Sequence, residues 1–193
     1  MAEIMLLHSA LGLRPGVHAA ADILRAAGHT VVVPDYYDGE VFDEVEDGLR
    51  KRDALGVEEI RRRVRRFGES VDRPVVFAGF SLGAAAAGTL AASHPAARGL
   101  ILMHGAVADD ALAGPWPAGV PVQVHYGEGD PWVEPATVAE LERLVTASGA
   151  AFEVHTYPTD AHLFADPGLP DYDPCAATLM WQRVTEFLKR ISD

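Results

Sequence analysis

The five residues Gly79-Phe80-Ser81-Leu82-Gly83 join the apolar run Val75-Val76-Phe77-Ala78 to the alanine run Ala84-Ala85-Ala86-Ala87. A short apolar, β-branched run followed by strong helix formers places a strand, a sharp turn and a helix around one serine. A side chain held at the tip of so tight a turn leaves no room for bulk two residues to either side, and glycines stand at both positions. This spacing, between a strand and a helix, is the pattern of a nucleophile elbow.

A serine hydroxyl is a weak nucleophile at neutral pH, so the elbow needs a base to take its proton and an acid to orient that base. In elbow enzymes these partners follow in the order acid, then histidine. Val122-Gln123-Val124-His125-Tyr126 reads as a strand ending in Gly127-Glu128-Gly129-Asp130, which puts Asp130 just past its end. Phe152 to Tyr157 reads as the next strand, with His162 in the loop after it. Loops at the carboxyl ends of parallel strands are where open α/β sheets gather their ligands.

Seven other histidines compete with His162. His125 and His155 fall inside strands and read as packed side chains, whereas His18, His29 and His94 lie on or at the ends of helices, where solvated or capping roles are expected. His8 and His104 end strands on the same edge as Ser81 and are candidates for the pocket. Among the acids, Asp160, Asp109 and Asp110 also follow strands, and Asp130 is preferred for its order in the chain.

The remaining elements alternate regularly. Strands are expected at Ile4 to His8, Thr30 to Pro34, Val75 to Ala78, Gly99 to Met103, Val122 to Tyr126 and Phe152 to Tyr157. Helices are expected from Arg14-Pro15 through Ala27, with Gly28 as its stop, and over Val57 to Phe67, Leu82 to Ser93, Pro135 to Ser148 and Pro174 to Ile191. An acidic stretch from Asp35 to Asp47 reads as loop. In the helix from Val57, the residues Val57, Ile60, Val64 and Phe67 share one face, and Glu58 and Glu59 precede Arg62 and Arg63 by four, as on a solvated helix. Strands alternating with helices imply a parallel sheet covered on both faces.

At 193 residues, 49% of them hydrophobic, the chain has the material for one sizeable core, and a single domain over 1–193 is expected. Gly114 to Gly119 reads as a rigid connection inside it. A net charge of −12 argues against nucleic acid, whose binding depends on neutralising phosphates with Lys and Arg. Cys175 stands alone, no apolar run approaches the roughly 20 residues of a membrane span, and Met1-Ala2-Glu3 leads almost directly into a strand. A cytoplasmic protein is expected, with no N-terminal extension and with no membrane partner, as a monomer or homodimer. The scattered histidines lack zinc-site spacing, and neither a metal nor another cofactor is called for.

Several separated motifs carry a resemblance. Val31-Val32-Val33-Pro34-Asp35-Tyr36-Tyr37-Asp38-Gly39, Gly79-Phe80-Ser81-Leu82-Gly83, Gly127-Glu128-Gly129-Asp130 and Ala161-His162-Leu163-Phe164 resemble the dienelactone hydrolase family of α/β-hydrolases, from about Ile4 to the C-terminal helix. The resemblance implies a trimmed α/β-hydrolase fold with about six parallel strands, without a cap domain or the usual leading antiparallel strands. It also marks two departures. Ser81 stands where the family's namesakes carry a cysteine nucleophile, and Ser9 stands where they carry a glutamate that helps activate the thiol. The two changes agree, because a serine deprotonated by histidine has no need of that carboxylate.

The expected chemistry is acyl transfer from a small ester or lactone to Ser81, with His162 as base and then acid, and Asp130 holding the imidazole. The backbone N–H of Leu82 and one from the loop after the first strand, Ala10, are the expected oxyanion donors. His8, Ser9, Tyr36, Tyr37, His104, Trp132 and Phe164 are the expected lining of the pocket. Trp116 is a further loop aromatic near this edge. A thioesterase or general carboxylesterase would use the same triad, and a non-catalytic binding member of the fold would use none of it.

Overall fold

The computed structural model describes residues 1–112 and 114–192. Six strands, β1 (Glu3–Leu7), β2 (Thr30–Val32), β3 (Val75–Phe80), β4 (Ala97–Met103), β5 (Val122–Gly127) and β6 (Phe152–Tyr157), form one parallel sheet in the order β2-β1-β3-β4-β5-β6. Six helices accompany them: α1 (Pro15–Ala26), α2 (Val45–Leu55), α3 (Val57–Gly68), α4 (Leu82–Ser93), α5 (Pro135–Ala147) and α6 (Pro174–Ser192). A single 3₁₀ turn, Asp109–Ala111, follows β4.

Both faces of the sheet are buried, and the strands show it residue by residue. Ile4 and Leu6 of β1 enter the core shared with α1 and α6, while Met5 and Leu7 enter the core shared with α3, α4 and α5. Phe77 and Ala78 of β3 divide in the same way. Alternate side chains point to opposite faces, so a strand covered twice reads as a continuous apolar run, as β3 and β4 do. The edge strands β2 and β6 are only partly buried.

The second strand continues through α2 and α3 before the chain returns to β3, on the far side of β1. The order of strands therefore reverses between β1 and β3, and the loops after these two strands face one crevice. Among those loops stand Ser9-Ala10-Leu11 after β1 and Ser81 after β3.

One element departs from expectation. The acidic stretch from Asp35 to Asp47 reads as loop in the sequence, but its last residues open α2, which occupies Val45–Leu55. Its sequence, Val-Glu-Asp-Gly-Leu-Arg-Lys-Arg-Asp-Ala-Leu, has no apolar stripe, and Gly48 is its buried residue. Glu46 and Asp47 in the first turn and Arg52 in the last oppose the helix dipole, and Gly56 ends it at φ 84°. The backbone of Gly48 packs on the loop after β1: a Cβ there would lie 2.1 Å from the Ala10 carbonyl oxygen. On α3 the ion pairs run mainly at i,i+3, Glu58 with Arg61 and Glu59 with Arg62, and Glu59 also reaches Arg63 at i,i+4.

Candidate active site

The turn after β3 is forced by its own residues. Ser81 sits at φ 51°, a region that L side chains rarely adopt, and α4 begins with the next residue. The strain persists because the surroundings admit no alternative. A Cβ on Gly79 would lie 2.1 Å from the Gly83 carbonyl oxygen, and one on Gly83 would lie 2.3 Å from that of His8. The two glycines thus let the turn close on itself and on the end of β1. The Ser81 N–H donates to the Met103 carbonyl at 2.8 Å, which pins the elbow to β4.

From this turn Ser81 Oγ reaches His162 Nε2 at 2.8 Å. His162 Nδ1 lies 2.8 Å from Asp130 Oδ2 and 3.0 Å from Oδ1. A carboxylate can only accept, so Nδ1 carries the proton and Nε2 is left as the acceptor for the serine hydroxyl. Asp130 is anchored in turn: its Oδ1 accepts the Trp132 N–H at 2.9 Å, and its side chain is fully buried. The loops themselves interlock, with Glu128 N–H donating to Tyr157 and Gly129 N–H to Thr159. Ser81, Asp130 and His162 therefore form one hydrogen-bonded row across the ends of β3, β5 and β6. Asp160, Asp109 and Asp110 are exposed, and among the described residues the hydrogen bonds of the imidazole Nδ1 go to Asp130.

Leu82 and Ala10 follow the ends of β3 and β1. Leu82 is the first residue of α4, where the helix has no partner for its N–H, and Ala10 follows Ser9 in the loop after β1. Among the described residues neither N–H meets an acceptor within the chain. That loop is shaped by Ser9, whose hydroxyl accepts the Leu11 N–H at 3.1 Å and whose carbonyl accepts the Gly12 N–H.

The expected lining divides. Trp132 is half exposed, with its ring 5.8 Å from that of His162, and borders the site. Tyr36, Tyr37 and Phe164 were expected in the pocket but are buried, at 1% exposure or less. Tyr36 stacks on His8 at 3.7 Å and donates to the His8 carbonyl, while Tyr37 donates to Gly48 of α2. Through these contacts they tie the segment after β2 to the end of β1 and to α2. Phe164 packs under the site against Tyr157 and His104, and Trp116 is buried with its Nε1–H on the Val120 carbonyl. Aromatics in loops near an active edge find more apolar contact below their loops than in an open cleft.

His8 is likewise structural. Its Nδ1–H donates to Ser9 O at 2.7 Å, and Nε2 accepts the Tyr36 N–H at 3.3 Å. Burial pushes its pKa down to about 4, against smaller upward pulls from the Ser9 carbonyl and Asp35. His125 is also buried in full, its Nδ1 accepting from Tyr157 O–H and its Nε2–H donating to Gln123, with burial lowering its pKa far below the ordinary value.

A cleft of about 370 Å³ opens beside His162 and Trp132, walled by Leu11, Val45 and Leu169. Four carboxylates, Asp43, Glu44, Glu46 and Asp171, stand around it, and Arg14 is its cation. Arg14 is already engaged, with Asp43 at 2.8 Å and the carbonyls of Phe42 at 2.6 Å and Gly168 at 3.4 Å. Neither α2 nor Arg14 was foreseen as part of the site. A larger groove of about 820 Å³ between α3, α4 and the 3₁₀ turn holds none of Ser81, Asp130 or His162, so size alone does not mark the site. Among the described residues no helix is long and apolar enough to cross a membrane, and no three His, Cys, Asp or Glu side chains cluster as metal ligands would.

A parallel sheet reversing beside β1, with a strained serine elbow after β3, defines an α/β-hydrolase. The profile of the Dienelactone hydrolase family matches residues 2–192, and the chain belongs to that family of ester and lactone hydrolases. A carboxymethylenebutenolidase of Rhodococcus opacus is 29% identical over 97% of this chain and 80% of its own length. Among solved structures, a dienelactone hydrolase-like promiscuous phosphotriesterase from metagenomic libraries superposes with a TM-score of 0.79 at 21% identity, covering 99% of this chain and 87% of that one. A dienelactone hydrolase from Anabaena variabilis gives 0.68 at 19% identity, covering 98% and 86%.

Proposed function

We propose that the chain is a serine hydrolase acting on small, uncharged carboxylic esters or lactones, through Ser81, His162 and Asp130. The observation that carries this reading is the row Ser81 Oγ, His162 Nε2, His162 Nδ1 and Asp130, with contacts of 2.8 to 3.0 Å. In it, His162 takes the hydroxyl proton as Ser81 attacks the carbonyl carbon. The tetrahedral oxyanion is received by the N–H groups of Leu82 and Ala10. His162 then protonates the leaving alkoxide, and a water activated by the same imidazole releases the acid from the acyl-serine. Asp130 holds the ring in the required tautomer and stabilises it when charged.

The cleft beside His162 supports the preference for an uncharged substrate. Its volume suits a small molecule, and Arg14, the Lys or Arg among its described lining residues, is committed to neighbours of the same chain. The surrounding carboxylates repel an anionic substrate, so neutral esters and lactones are favoured. The lone, exposed Cys175 suits a reducing compartment such as the cytoplasm. The test is a panel of short acyl esters, lactones and acyl thioesters, run with labelling by a fluorophosphonate. Turnover of neutral esters or lactones with covalent labelling at Ser81 supports the reading, and no turnover by a folded protein across the panel refutes it.

A further inference from the structure

His104 is a buried polar group that the proposed chemistry does not employ. It follows β4 with a left-handed backbone, φ 57°, and its N–H donates to the His125 carbonyl at 2.7 Å. The residue is 1% exposed, and neither ring nitrogen has a hydrogen-bond partner. The ring stacks on Phe80 at 6.0 Å and meets Phe164 edge-on at 4.4 Å and His162 at 6.4 Å. Burial, and secondarily the nearness of His162, push its pKa down to about 3, so the imidazole is neutral. A neutral imidazole has one N–H to give and one lone pair to fill, and burial makes both demands costly to leave unmet.

Beside this ring lies a small cavity of about 10 Å³, lined also by Ser9 and Asp166 and closed by Val17, Phe80 and Leu163. One water requires about 10–15 Å³ and two to four polar partners. The partners here complement one another. The Ser9 hydroxyl accepts from Leu11 N–H and still has a proton to donate. The Asp166 carboxylate accepts from Gly168 N–H at 2.8 Å and retains further lone pairs. Arg14 Nε lies 3.8 Å from Asp166 Oδ2 and is itself buried without a hydrogen-bond partner.

We propose that this cavity binds one water molecule bridging His104, Ser9 and Asp166, and that His104 thereby acts as a positioning residue for the loop that carries His162. The three anchors belong to three parts of the site. Ser9 precedes the oxyanion donor Ala10, Asp166 lies four residues beyond His162, and His104 ends the strand to which the elbow is pinned. A single bridge fixes the spacing of base and oxyanion donor. The water site stands on the cavity and its polar lining, while its effect on turnover rests on the triad reading above.

The first measurement is a crystal structure of the unliganded wild-type chain at near-atomic resolution. The expected result is density for one water within hydrogen-bonding distance of a His104 ring nitrogen and of Ser9 Oγ or the Asp166 carboxylate. A cavity free of density in a well-ordered map overturns the proposal, and this test needs no variant to fold. The second compares His104→Phe with His104→Asn, which keeps a donor and an acceptor and tolerates the left-handed backbone. His104→Phe should lower kcat about ten-fold with KM little changed, as expected of a small misplacement of the base, and His104→Asn should recover most of the loss. Wild-type kcat in a folded His104→Phe protein overturns the positioning role. Failure of the triad itself would appear separately, as turnover retained in Ser81→Ala with the water still in place.

Discussion

Ser81 Oγ and His162 Nε2 lie 2.8 Å apart although 81 residues separate them in the chain. The contact is made by two independent devices: an elbow that glycines at 79 and 83 allow to close, and a loop after β6 braced by hydrogen bonds to the loop of Asp130. Ser81→Ala should therefore abolish ester hydrolysis and fluorophosphonate labelling, with a loss of about 10⁴-fold or more, and leave the fold as stable as before. Circular dichroism and thermal melting check the second half. Near wild-type turnover in the variant would mean that another nucleophile operates.

The acid is tested against its neighbours in sequence. Asp130→Asn should lower kcat by about 10⁴-fold, the size seen when a triad aspartate loses its charge and the histidine adopts the wrong tautomer. Asp160→Asn and Asp109→Asn, both exposed and clear of the ring, should stay close to wild type. A large loss in either of those, with Asp130→Asn active, moves the acid elsewhere.

The elbow was legible because three signals coincide at Ser81: an apolar run, flanking glycines and an alanine helix. Asp130 and His162 were legible because loops after successive strands converge in any parallel sheet. The missed parts lack such local signals. Helix α2 has no apolar stripe because it packs through the bare backbone of Gly48 on Ala10. Tyr36, Tyr37 and Phe164 look in sequence like any loop aromatics, and whether they face a cleft or a core depends on partners such as His8 and Tyr157. Arg14 becomes part of the site only through Phe42, Asp43 and Gly168, which the chain brings to it from afar.

The buried histidines should make the fold less stable on the acid side. Burial lowers the pKa of His8 to about 4 and of His104 to about 3, and takes His125 well below its ordinary value. In the unfolded chain each binds a proton at about 6.5. Between about pH 6.5 and 4 the unfolded state thus holds more protons than the folded one, so stability falls as pH falls. Each such histidine contributes a slope of up to about 1.4 kcal/mol per pH unit. Urea midpoints should be clearly lower at pH 5 than at pH 7, with net proton uptake on unfolding. Equal midpoints would show that these rings accept protons without leaving the fold.

The charge of the cleft predicts selectivity. Hydrolysis of 4-nitrophenyl butyrate should exceed that of 4-nitrophenyl hemisuccinate in kcat/KM, and the gap should shrink as salt screens Asp43, Glu44, Glu46 and Asp171. Replacing Glu44 and Glu46 together by Gln should narrow it at low salt. Preference for the anionic ester would mean that Arg14 gives up its partners to bind substrate.

Gly83 offers the sharpest test of how the elbow is seated. It lies two residues beyond Ser81, and a methyl group there would stand 2.3 Å from the His8 carbonyl oxygen and 2.5 Å from that of Leu7. Both obstacles are backbone at the end of β1, so no rotamer change relieves the clash and either α4 or the loop bearing Ala10 must move. Gly83→Ala should cost about 1–3 kcal/mol in stability, the usual range for overpacking, and urea unfolding measures it directly. Turnover should fall further than stability implies, because the same displacement separates the N–H of Leu82 from that of Ala10. The loss should appear mainly in kcat, since the oxyanion forms only after the substrate is bound. A folded Gly83→Ala protein with wild-type kcat would show that Ala10 is not the second oxyanion donor.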